Sequence, residues 1–181
     1  AFAADMYGDA RTTTDPKEAG ALAGAVKGHP TVLRARATAA LDTLKAQPEV
    51  DATRLAAIGY CFGGTVALEL ARLGADLDGV VSFHGGLETN APAAPGAVKA
   101  KVLALTGADD PHAPPASVQA FEAEMKHAGV DERVVSYPHA VHGFTNPANA
   151  GSTLPGIGYD AAADKASWEE MKGFLARVFG S

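Results

Sequence analysis

Short apolar runs alternate along this chain with stretches whose hydrophobic residues recur every three or four positions. Residues 55–60, 79–83, 102–106 and 133–137 read as short strands set between polar or glycine-containing segments. Residues 1–4 read as the tail of a further strand that ends at Asp5-Met6-Tyr7-Gly8. Leu33, Ala37, Leu41 and Leu44 fall on one helical face, with Arg34 and Lys45 elsewhere on the cylinder. Val118, Phe121, Met125 and Ala128 predict another helix, closed by Gly129, and Trp168, Met171, Leu175 and Val178 predict a last one. These stripes are core-packing faces. Alternating strands and helices predict an α/β fold, a mostly parallel sheet flanked by helices on both faces. In such sheets ligands collect beyond the carboxyl ends of the strands. Two irregular stretches interrupt the pattern: residues 84–100, with Pro92 and Pro95, and residues 143–159, rich in Asn, Pro and Gly. Structureless segments of that length in a compact domain are usually functional or mobile.

One junction stands out. The apolar run Leu55-Ala56-Ala57-Ile58 leads into Gly59-Tyr60-Cys61-Phe62-Gly63-Gly64, and a helical pattern leaves through Thr65-Val66-Ala67-Leu68-Glu69-Leu70-Ala71. This is the nucleophile-elbow pattern, G-x-Nuc-x-G, with a thiol in the nucleophile slot. A strand that turns into a helix within a few residues strains the apex residue, and side chains at the flanking positions would collide with the neighbouring elements. The helix start presents N–H groups and a positive dipole end, which favours thiolate over thiol. A lone cysteine in a G-x-C-x-G context is by itself as consistent with a small buried hydrophobe.

Bulk properties narrow the field. A chain of 181 residues suits one domain, 1–181. A net charge of −6 gives no basic footprint, so nucleic acid is not expected as a partner. No apolar run is long enough to cross a bilayer, so no membrane partner is expected either. Ala1-Phe2-Ala3-Ala4-Asp5 lacks the basic start of a secretory signal. The single cysteine excludes an internal disulfide, which fits a reducing, cytoplasmic setting and a free thiol.

A nucleophile on an elbow needs a base, and the base needs an orienting acid. The strand at 102–106 runs into Gly107-Ala108-Asp109-Asp110-Pro111, and the strand at 133–137 runs into Pro138-His139-Ala140-Val141-His142-Gly143-Phe144. Thiol, carboxylate and imidazole thus leave the same sheet edge in the order nucleophile, acid, histidine. His139 and His142 also form an H-x-x-H pair, but Pro138 and Gly143 argue against the helix a metal pair there would need. No metal and no cofactor are expected. His29, His84, His112 and His127 have no supporting context, although His84 and His112 follow strands and are candidate pocket neighbours.

At this point the chain resembles the dienelactone hydrolase family of the α/β-hydrolases. Gly59-Tyr60-Cys61-Phe62-Gly63-Gly64 matches its cysteine elbow, Gly107-Ala108-Asp109-Asp110-Pro111-His112-Ala113-Pro114 its G-x-x-D-x-x-x-P acid loop, and His142-Gly143-Phe144 its histidine loop. Asp5-Met6-Tyr7-Gly8 is similar to the D-x-Y-G that ends an earlier family strand. The resemblance selects Asp110 over Asp109 and His142 over His139, and it implies a Cys61–His142–Asp110 triad. It also implies an N-terminally truncated α/β-hydrolase fold: the family takes one oxyanion-hole N–H and an acid that tunes the cysteine from strands ahead of D-x-Y-G. The chain is therefore expected to be the C-terminal portion of a longer domain, with the apolar stretch at Ala1 near an open sheet edge.

The activity expected is hydrolysis of small esters or lactones through a cysteine thioester, with the backbone N–H of Phe62 in the oxyanion hole. Tyr60, Phe144 and Tyr159 are candidate pocket residues, and the loop at 143–159 is expected to lie over the site. Alternatives are a cysteine peptidase or acyltransferase with the same triad, and an impaired module that binds small acids.

Overall fold

In the computed structural model, which describes residues 1–180, the chain divides into two compact units, Ala1–Thr53 and Arg54–Ser181. The first holds two helices, α1 (Pro16–Lys27) and α2 (Pro30–Lys45). Asp15 caps α1 by accepting the N–H groups of Lys17 and Glu18, and a proline opens each helix, where its missing N–H costs nothing. On α2, Leu33 and Ala37 are buried as the apolar stripe predicts.

Residues 1–4 form no strand. Three alanines and one phenylalanine offer little β-propensity and little apolar area, and Phe2 is 45% exposed. Asp5 ends this stretch in a turn instead: its carboxylate accepts the N–H groups of Tyr7, Gly8 and Ala10 at 3.2, 2.7 and 2.9 Å, and these bonds hold its pKa below the ordinary value. The Arg36 guanidinium donates to the Met6 carbonyl at 2.8 Å.

The second unit is built on a four-stranded parallel sheet in the order β1 (Ala56–Tyr60), β2 (Gly79–Phe83), β3 (Lys101–Gly107), β4 (Glu132–Tyr137). The central strands β2 and β3 are almost wholly buried, as continuous apolar runs in a covered parallel sheet should be. One sheet face packs Val81, Phe83, Leu103 and Leu105 against Met171 and Phe174 of α5 (Ala161–Phe179). The other is covered by α3 (Phe62–Arg72), while α4 (Pro115–Ala128) joins β3 to β4. Gly129 ends α4 in the left-handed region at φ 74°, which glycine adopts without penalty. On α5 the buried stripe is Ala163, Ser167, Met171 and Phe174. Trp168 is 49% exposed, one helical step off the stripe expected from its spacing.

The loop over residues 84–100 is irregular but firmly held. Arg72, whose side chain is fully buried, pairs with Glu69 at 3.0 Å and Glu124 at 2.8 Å and donates to the Leu87 carbonyl at 2.7 Å. Glu124 in turn accepts the N–H of Ala93 at 2.9 Å. Burial raises the Glu124 pKa, but the bonds from Arg72 and Ala93 outweigh it and leave it lowered. No helix among the described residues is long and apolar enough to cross a membrane.

Candidate active site

The site forms where the chain leaves four parallel strands at one edge. β1 runs straight into Cys61, which has φ 49° and ψ −119°, and α3 begins at the next residue. A positive φ on a non-glycine residue costs on the order of 1–3 kcal/mol and persists only where the surroundings enforce it. The enforcement is steric and local: a Cβ on Gly59 would collide with the backbone carbonyl of Gly63, so only glycine lets the helix fold back this tightly. Cys61 N–H continues the sheet ladder by donating to the Phe83 carbonyl at 3.0 Å.

β2 ends the same way. In the β1–β2 register Tyr60 pairs with Phe83, so the next residue on each strand is Cys61 and His84. His84 has φ 39°, is 2% exposed, and donates its own N–H to Leu105 at 2.7 Å. The Cys61 N–H also points at His84 Nδ1 at 3.3 Å, the same nitrogen lies 3.3 Å from the Cys61 sulfur, and Nε2 lies 2.9 Å from the Thr145 hydroxyl.

β3 delivers Asp110, 3% exposed, and β4 delivers His142. Asp110 Oδ2 is 3.0 Å from His142 Nδ1, and its Oδ1 accepts the N–H of His112 at 2.7 Å. One carboxylate oxygen thus fixes the loop and the other faces the imidazole. The donor atoms of Cys61, His84 and His142 all lie within 4.8 Å of one another. Thiolate and imidazole are zinc-ligand types, so among the described residues these are the ones that could hold a metal ion; the same atoms also form a proton-transfer set.

Charge in the cluster is mutually adjusted. Burial pushes the Cys61 thiol up, but hydrogen bonding to His142 and His84, with a smaller electrostatic contribution, brings it down to about 6. Burial pushes His142 down, and Asp110 and the thiol reverse this, raising it to about 9. Between these values the favoured form is a thiolate–imidazolium pair.

The alternatives left open by the sequence separate cleanly in space. His139 is 92% exposed in its side chain, has φ 65° in a turn and faces Asp109 at 3.7 Å, so the two His-x-x-His rings answer to different carboxylates. His29 and His127 are exposed. The His112 ring meets His142 edge-on at 4.7 Å. Tyr60 is 43% exposed and stacks on Phe83 at 4.5 Å, with His84 6.0 Å away. Phe144 is fully buried, edge-on to His84 at 5.1 Å, and so backs the rings from the core side. Tyr159 donates its hydroxyl to Asp164 at 3.1 Å. The loop at 143–159 returns to the histidine strand end, with His142 N–H bonded to Gly156 O and Gly158 N–H to His142 O at 3.0 and 3.2 Å. It reaches the cluster through Thr145.

Sequence reasoning gave His84 only a neighbour's place and gave Thr145 none. The signal for His84 was present: it follows β2 as Cys61 follows β1, and parallel strands in register set such residues side by side. Nothing in the pattern marks Thr145.

An elbow cysteine, a buried acid and a histidine at the carboxyl edge of a parallel sheet define the α/β-hydrolase fold class. The family model of the dienelactone hydrolases matches residues 1–179, and the chain belongs to the dienelactone hydrolase family. A solved dienelactone hydrolase-like promiscuous phosphotriesterase from metagenomic libraries is 42% identical with a TM-score of 0.89, covering 97% of this chain and 73% of that one. A putative carboxymethylenebutenolidase of Salmonella typhimurium is 29% identical over 72% of this chain, which spans 48% of that protein. An uncharacterized protein of Caenorhabditis elegans is 38% identical over 81% of this chain and 94% of its own length.

Proposed function

We propose that the chain hydrolyses small esters or lactones through a thioester on Cys61, with His142 as proton carrier and Asp110 as its orienting acid. The observation that supports this most is the lowered thiol of Cys61 beside the raised imidazole of His142, itself held by Asp110 at 3.0 Å. The sulfur lone pair forms a C–S bond to the substrate carbonyl, and the C=O π pair moves onto oxygen. Phe62 is the first residue of α3, so its backbone N–H lies at the positive end of the helix and is the oxyanion donor in this reading. Collapse of the tetrahedral intermediate expels the alcohol oxygen, which takes the proton of His142. Water then gives a proton to His142 and attacks the thioester, and the Cys61 thiolate leaves. Asp110 keeps Nδ1 of His142 engaged so that Nε2 performs both transfers.

Tyr60, half-exposed beside His84, and Tyr159 are the pocket residues in this reading, while Phe144 acts from behind. A thiolate favours activated esters and enol-lactones, whose leaving groups need little protonation, over amides. The test is acid-quenched turnover of a small aryl ester followed by peptide mass mapping. One acyl group on the peptide containing Cys61 is expected, and an acyl group mapped elsewhere overturns the reading. An aryl phosphotriester belongs in the same substrate screen, because the solved relative is described as a promiscuous phosphotriesterase.

A further inference from the structure

We propose that His84 is a second catalytic histidine, which holds the Cys61 thiolate through a hydrogen bond from Nδ1 while the Thr145 hydroxyl fixes its ring from the other side. This deepens the thioester reading and rests on it, because it assigns the partner of the same sulfur. Three independent features point to His84. It occupies the register position beside Cys61 on the neighbouring strand. It shares the positive φ of Cys61, so two adjacent strand ends carry backbone strain at facing residues. And it is a 2% exposed imidazole whose ring nitrogens each meet a polar side-chain atom, Sγ at 3.3 Å and Thr145 Oγ1 at 2.9 Å.

The bonding assignment follows from what each group already has. The Cys61 backbone N–H points at both the Phe83 carbonyl, at 3.0 Å, and His84 Nδ1, at 3.3 Å; once the thiolate forms, the closer carbonyl remains as its acceptor and Nδ1 serves the sulfur as donor. In this assignment Thr145 donates its hydroxyl proton to Nε2, 2.9 Å away, and the ring proton sits on Nδ1, 3.3 Å from the sulfur. The two histidines then divide the work. His142 gains and loses a proton during turnover, and Asp110 supports it in doing so. His84 gives a hydrogen bond and no proton: it stabilises the thiolate before attack and receives it again when the thioester breaks. Phe144, edge-on at 5.1 Å, and Tyr60 at 6.0 Å hold the ring plane.

The test reads the sulfur directly, without turnover: the rate of Cys61 alkylation by iodoacetamide as a function of pH. His84→Gly tolerates the positive φ and removes the ring. Its thiolate midpoint is expected to rise by about one unit, so that alkylation below both midpoints is about tenfold slower. Added imidazole should restore part of that rate. His84→Asn also tolerates positive φ and places an amide donor near the Nδ1 position, so its midpoint should stay closer to the native one than that of His84→Gly. Thr145→Val should shift the midpoint in the same direction by a smaller amount. A His84→Gly profile that coincides with the native one overturns the proposal, as does an Asn variant shifted as far as the Gly variant. If circular dichroism shows that His84→Gly does not fold, Thr145→Val decides, and an unmoved midpoint there overturns the proposal. Failure of the thioester reading would look different: Cys61→Ala would still hydrolyse esters while the alkylation profiles kept their order.

Discussion

The Asp110 carboxylate sits 3.0 Å from Nδ1 of His142 and is 3% exposed, while its neighbour Asp109 stands in solvent facing His139. Adjacent residues in one loop thus meet different histidines. Asp110→Asn keeps the shape but loses the charge that favours imidazolium, and should lower kcat for ester hydrolysis by about 10³–10⁴. Asp109→Asn should leave kcat within about twofold. Steady-state kinetics of the two variants checks the pairing, and equal losses would contradict it.

The pH profile follows from the pair of shifts. The thiol is brought down to about 6, so the nucleophile is lost as pH falls through that value. The imidazole is raised to about 9, so the leaving-group proton is lost as pH rises through that one. The two groups interact, so the limbs belong to the pair. A bell-shaped kcat/KM with limbs near 6 and 9 is expected for substrates whose alcohol needs protonation. Activated aryl esters should lose the upper limb and keep the lower one.

Arg72 is buried between Glu69 and Glu124 and bonds to the loop at 84–100. Removing one member of a buried ion network strands the others, so Arg72→Leu should destabilise by about 3–5 kcal/mol. Denaturant unfolding gives the number. Because Glu124 also carries the Ala93 N–H, the loop should become protease-sensitive in this variant.

Phe144 is fully buried against His84 and Tyr137. Phe144→Ala should therefore cost about 3–5 kcal/mol of stability, and Tyr159→Phe, which loses one partly exposed hydrogen bond to Asp164, should cost far less. If Phe144→Ala altered substrate preference with stability intact, the packing account of this residue would be wrong.

How much of this was legible in the chain depends on whether the cause was local. The strands β1 to β4 and the closure of α4 at Gly129 follow from apolar runs and a single turn residue, and they match the pattern to within one residue at each end. The Cys61 elbow and the Asp110 and His142 loops are local motifs as well. Residues 1–4 were misread because a short apolar run says nothing about whether a partner strand exists. Trp168 was misread because spacings of three and four fit two neighbouring stripes of α5, and only packing chooses between them. His84 and Thr145 come together across 61 residues of sequence, a contact that only the assembled sheet creates.

The most direct test of the account is the rate of p-nitrophenyl acetate hydrolysis by Cys61→Ala relative to the native chain, with folding checked by circular dichroism. A fall of at least about 10³ is expected, because the remaining groups have no nucleophile to assist. A folded Cys61→Ala variant that keeps its rate to within tenfold would contradict the thioester mechanism.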